Sequence, residues 1–121
     1  MRQGKIWGQT RALLQTPFVE VHEIEGRNGY RCSRHRHLHK SNMFYCVSGS
    51  LNVFVAEPQG NGLPDLVDRT YLKPGQATSI APGKWHWFEG VEDFTAVEIY
   101  YPQPIDPGDI ERVSVGGQIN G

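Results

Sequence analysis

Between Phe18 and Tyr101 the chain nowhere sustains a helical period and breaks instead into runs of strand length, each closed by turn residues. The runs are Phe18–Glu25, Tyr30–His39, Asn42–Val47, Leu51–Ala56, Leu66–Leu72, Gln76–Ile80, Trp85–Phe88 and Phe94–Tyr101. Ser48-Gly49-Ser50 reads as a tight hairpin turn, Pro74-Gly75 and Pro82-Gly83 punctuate later runs, and Glu57–Asp65 (EPQGNGLPD) reads as an exposed loop. Thr10–Gln15 is the one stretch that fits a single helical turn. Many short strands separated by turns predict an all-β sandwich or barrel. Fourteen Gly and eight Pro supply the turns such a fold needs.

The chain has 121 residues, enough for one core and not two, so a single domain over residues 1–121 is expected. A net charge of −1 with mixed signs gives no basic field for nucleic acid and no basic amphipathic face for a membrane. The N-terminus has no signal-like apolar run, and no stretch approaches the ~18 apolar residues of a membrane span. Two cysteines, Cys32 and Cys46, are too few for a disulfide framework and read as reduced thiols of a cytoplasmic protein.

Four of the five histidines fall in two short segments. His35, His37 and His39 are two residues apart, so on one extended strand they share a face. His86 follows the Pro82-Gly83 turn. A metal needs three or more converging donors, and imidazole is a common ligand for Zn, Fe, Ni and Cu. Three unpaired imidazoles in a barrel interior would each cost ~1–3 kcal/mol, which favours a metal over a vestigial site. The expected first sphere is His35, His37 and His86 with Asn42 nearby, around a divalent ion (Zn, Fe, Ni, Mn or Cu) that the donors do not select. Because Asn42 is a neutral donor, Asn42→Glu is expected to tighten metal binding.

These segments resemble a family. Gly29, five residues, His35-x-His37, four residues, Asn42, six residues, Gly49 reproduces the first cupin motif, with Asn42 where the motif has Glu. Gly75, five residues, Ala81-x-Gly83, two residues, His86, three residues, Gly90 has the spacing of the second, with the proline shifted by one to Pro82. The resemblance implies a double-stranded β-helix, or jelly roll, with its ligands pointing inward. Nearly the whole chain is also similar to the cupin domain of type II phosphomannose isomerases, often fused to mannose-1-phosphate guanylyltransferase. The similarity rests on Trp7-Gly8, the block His37-Leu-His39-Lys40-Ser41-Asn42-Met-Phe44, Ile80–Glu89, and Glu98 followed by Asp109-Ile110 and Arg112. The resemblance covers the cupin domain alone, with no counterpart of the guanylyltransferase half among these residues.

That narrower resemblance implies aldose–ketose isomerisation of a phosphorylated or nucleotide-linked sugar. His39 and Glu89 are then the candidate catalytic bases, and Lys84 and Arg112 the candidate substrate-binding cations. Each has a plainer reading: His39 as a solvated rim residue, Glu89 as a turn cap, the cations as surface charges. Two other functions stay open: a three-histidine dioxygenase and a non-catalytic small-ligand sensor, since one scaffold hosts many activities. Phe44, Cys46, Phe54 and Phe88 are expected to fill the interior or the pocket wall, and His22 to be structural. Trp85 and Trp87 should face outward and, with the apolar residues of Ile6–Leu14, pair two copies into a homodimer.

Overall fold

Side chains alternating between two faces, with turns at short intervals, build two antiparallel sheets. The computed structural model describes residues 2–102, 108, 109, 116 and 118, and among them there is no helix. The strands are β1 (Arg2–Lys5), β2 (Gly8–Gln15), β3 (Glu20–Gly26), β4 (Ser41–Ser48), β5 (Leu51–Glu57), β6 (Leu66–Leu72), β7 (Ala77–Ile80), β8 (Trp85–Gly90) and β9 (Phe94–Tyr101). One sheet runs β1-β2-β3-β9-β4-β7 and the other β6-β5-β8. The architecture is the expected jelly roll.

The hairpin between β4 and β5 shows why its turn residue is glycine. Gly49 sits at φ 71°, a left-handed conformation costly for other residues. A Cβ there would also stand 2.0 Å from the Asp93 carbonyl oxygen. The turn is thus pinned against the loop that leads into β9.

Two expectations about strands are corrected. Thr10–Gln15 lies within β2, paired residue by residue with β3, with a bulge at Leu13; partner strands decide such a short segment, not its local pattern. Tyr30–His39 is not a continuous strand. It touches β8 through isolated bridges, Arg31 to Glu89 and His35 to His86, and bends at Leu38-His39. Alternation survives locally: Arg34, Arg36 and Leu38 are exposed while His35 and His37 are half-buried.

Inward side chains divide the interior along the strands. At one end Ile24, Cys46, Leu51, Val53, Leu72, Phe88, Phe94 and Ala96 are buried together. Phe88 is the hub, with edge-to-face contacts to Trp7, Phe44 and Phe94. At the other end the same strands turn Asn42, His86, Glu98 and Tyr100 inward. Phe54 is corrected: it is on the opposite face of β5 from Val53, stacked on Trp87 with ring centroids 5.0 Å apart. Cys32 and Cys46 are both free thiols.

Candidate metal centre

His35 and His86 meet because their backbones are paired. The His35 amide donates to the His86 carbonyl at 3.0 Å, and the His86 amide donates back at 2.8 Å. Residues directly opposite in an antiparallel pair project to the same face, so the two rings come to 4.4 Å between centroids. His37, two residues on, adds its ring at 5.2 Å from His35 and 5.6 Å from His86. Its backbone is held by the turn that precedes β8, where the Gly83 amide donates to the His37 carbonyl at 2.7 Å. One ligand nitrogen from each ring lies within 4.8 Å of the other two.

Hydrogen bonds fix which nitrogens face inward. His35 Nδ1 is 2.8 Å from the Ser33 carbonyl and His86 Nδ1 is 3.0 Å from the Lys84 carbonyl. A carbonyl only accepts, so each Nδ1 carries the proton and donates it, leaving Nε2 with its lone pair. Metal-binding histidines are commonly oriented this way. Burial and the neighbouring His35 lower the His37 pKa to about 4, and burial lowers that of His86. Near neutral pH His37 and His86 are therefore unprotonated, as a metal ligand must be.

Two polar atoms test the fit of a cation. His37 Nε2 and Asn42 Oδ1 are buried without a hydrogen-bond partner, two of four such side-chain atoms among the described residues. Leaving a buried polar atom unpaired costs ~1–3 kcal/mol, and a cation drawn to both would remove that cost. The donor set fits a divalent metal.

Asn42 is 1% exposed and lies in a polar cluster. Its Nδ2 donates to Glu98 Oε2 at 3.0 Å and, with the His86 proton on Nδ1, also to His86 Nε2 at 3.2 Å, a bond that a cation at that nitrogen would replace. Glu98 is itself buried and is hydrogen-bonded by the Tyr100 hydroxyl. Desolvation raises the Glu98 pKa, opposed by these two donors; burial and the Glu98 charge raise that of Tyr100. Glu98 and Tyr100 carry no role in the sequence reading of the site. The signal lay in β9, where Phe94, Ala96, Glu98 and Tyr100 share the inward phase.

The candidate catalytic and substrate-binding residues are dispersed. Glu89 is on the opposite face of β8 from His86, within 3.2 Å of Trp87 Nε1 and 3.8 Å of Arg31. The Lys84 ammonium is ion-paired with Glu57. The β8 period of two explains Glu89: an odd-numbered neighbour of His86 and Phe88 must point outward. His39 is exposed beyond the bend, on the rim of a hollow of about 510 Å³ that also reaches His37. Arg112 lies outside the described residues. Arg34 pairs with Asp65 at 2.7 Å and Lys40 with Glu20 at 3.3 Å. Trp85 and Trp87 are on the opposite face of β8 from His86, as expected, but both are half-buried within the chain: guanidinium groups of Arg34 and Arg36 cover them, and Trp87 also packs against the core.

A cavity of about 720 Å³ opens beside His35. His35, Glu98, Tyr100 and His22 line its polar side, and Trp7 and Phe88 its apolar side. His22, read from sequence as structural, faces this space with its ring 5.7 Å from that of Tyr100.

No family model and no curated protein matches the chain. Solved structures do. KdgF from Halomonas sp. is similar at 19% identity and TM-score 0.68, covering 86% of this chain and 89% of that one. An uncharacterized conserved protein with a double-stranded β-helix domain from Klebsiella pneumoniae is similar at 24% identity and TM-score 0.64, covering 84% and 78%. An RmlC-like cupin from Shewanella frigidimarina is similar at 17% identity and TM-score 0.67, covering 85% and 84%. The likeness shows the fold: this chain is a double-stranded β-helix, the architecture of the Klebsiella domain and one shared with the Shewanella cupin.

Proposed function

We propose that this protein is a metal-dependent cupin whose centre, held by His35, His37, His86 and the Asn42 amide, binds a small oxygen-rich ligand in the adjoining cavity. The observation that carries the reading is the convergence of three ring nitrogens, two of them with Nδ1 committed to backbone carbonyls. When bound, a divalent ion supplies Lewis acidity toward a carbonyl or hydroxyl oxygen. The chain's own part is to orient the ligand between Trp7 and Tyr100 and to handle protons at the cavity wall. Tyr100 and Glu98 form the hydrogen-bonded pair placed there.

Proton transfer between neighbouring carbons of a hydroxy-carbonyl compound is the reaction this arrangement serves best, and sugar isomerisation is its carbohydrate form. The sugar phosphate remains part of the proposal through the motif resemblance alone, since Lys84 and Glu89 are engaged elsewhere. Incubation with mannose 6-phosphate and fructose 6-phosphate in heavy water should exchange deuterium into the sugar. Neither binding nor exchange with any of several divalent metals would end the isomerase reading. A second reading, O₂ chemistry at ferrous iron, is favoured by the three neutral imidazoles. Oxygen uptake with iron and a candidate substrate would select it, and ligand binding without turnover would select a sensor.

The homodimer also stays within the proposal. Ile6, 85% exposed, lies in the turn between β1 and β2, and Leu13 and Leu14 are exposed toward the far end of β2. Light scattering should give twice the monomer mass at micromolar concentration, and a monomer mass would remove the dimer.

A further inference from the structure

A divalent cation among three neutral imidazoles and an amide brings a charge of +2 into a buried space with no anion in its first sphere. Taking charge out of water is costly unless an opposite charge lies close. Position 42, where the motif resemblance leads one to expect that anion, is a neutral amide. One buried carboxylate touches this amide, and it comes from the neighbouring strand: in the β4–β9 register Phe44 faces Glu98 and Asn42 faces Tyr100. Glu98 Oε2 accepts from Asn42 Nδ2 at 3.0 Å. The same nitrogen lies 3.2 Å from His86 Nε2, a contact that metal binding at His86 would replace while the Glu98 bond stays; Oδ1 is the buried acceptor with no partner.

We propose that Glu98 is the anionic member of the metal centre, displaced by one strand, and that it acts through Asn42 as a positioning residue: its carboxylate holds the amide nitrogen and presents Oδ1 to the cation. The inference rests on the metal-binding reading above. It explains why asparagine stands at position 42. A glutamate there would put two carboxylates side by side in a buried space, where both cannot ionise without mutual repulsion. It also reverses the expectation from sequence that Asn42→Glu tightens metal binding.

The test is metal affinity, measured with Zn²⁺ and Co²⁺ against a chromophoric chelator, together with the visible spectrum of the Co²⁺ protein. Thermal melts of each metal-free variant check the fold. Glu98→Gln keeps the shape and removes the charge, so it should weaken binding by about 10–100-fold, the usual cost of losing an outer partner, and shift the Co²⁺ bands. Asn42→Glu alone should bind no tighter than wild type. The exchange variant Asn42→Glu/Glu98→Gln, with one carboxylate again, should bind more tightly than either single variant. That non-additivity is what a merely structural Glu98 would not produce. Wild-type affinity and an unchanged spectrum in Glu98→Gln would overturn the inference alone, as would tighter binding by Asn42→Glu. Should Glu98→Gln fail to fold, the exchange variant and Asn42→Glu decide the same point. A wild-type protein that binds neither metal would overturn the metal reading and this inference with it.

Discussion

The two ends of the barrel interior are made by the same strands and behave as different materials. On β8, Phe88 belongs to the apolar end and His86 to the polar one; on β9, Ala96 and Glu98 divide in the same way. The apolar end is closed by edge-to-face contacts of Phe88 with Trp7, Phe44 and Phe94. The polar end holds three imidazoles, an amide, a carboxylate and a phenol, with two buried atoms left without partners. One end stabilises the fold; the other leaves buried polar atoms without partners, at a cost in stability.

The largest effect should follow from emptying the apolar end. Phe88→Ala removes the hub residue, 4% exposed, and should cost about 3–5 kcal/mol in a denaturant melt. A loss well below that would mean the aromatic cluster is not what carries the fold. Next in size is the response to metal. Saturating metal at about 100 times its Kd should stabilise the wild type by about 2.7 kcal/mol, whereas His37→Ala should lose most bound metal and show little such gain. Asn42→Ala should lose less than His37→Ala. Elemental analysis of protein purified without chelator, paired with thermal melts, checks all three. Equal metal content across them would remove the contrast between the two ends.

Titration gives the smallest effect and sharpens the contrast. In the metal-free protein the His37 pKa is lowered from 6.5 to about 4. Between those values the unfolded chain binds more protons than the folded one, so stability falls as pH falls from about 6.5 and the loss is complete near 4. Glu98 has the opposite sign: its raised pKa means that stability falls as pH rises through the folded value. Unfolding free energies measured from pH 7 to 4 should therefore fall more steeply toward acid in wild type than in His37→Asn. Identical slopes would show that His37 is not held neutral by the fold.

Much of this architecture was legible in the sequence because it depends on period and turn chemistry. The β4–β5 hairpin, the long exposed loop and the outward phase of Trp85 and Trp87 follow from local rules. His35, His37 and His86 were legible as a set because two turns and a two-residue spacing confine them. What escaped was fixed by pairing with distant strands. Thr10–Gln15 has no strong pattern of its own and becomes a strand because β3 lies beside it. Phe54 looks like core until the phase of β5 is known. Glu89 is close to His86 in sequence and faces away from it, whereas Glu98 is remote and faces toward the site. Proximity along a strand misleads by one residue as easily as it guides.

The mutual backbone bonds of His35 and His86 have a kinetic consequence. These residues come from opposite sides of the β4–β7 segments, so their pairing closes a long loop, the kind of contact that makes folding slow. A cation that requires both rings cannot be captured by a partly built barrel. Metal uptake during refolding would therefore act as a clock for the last topological step, lagging the appearance of strand signal by the time the chain takes to bring its two histidine segments together.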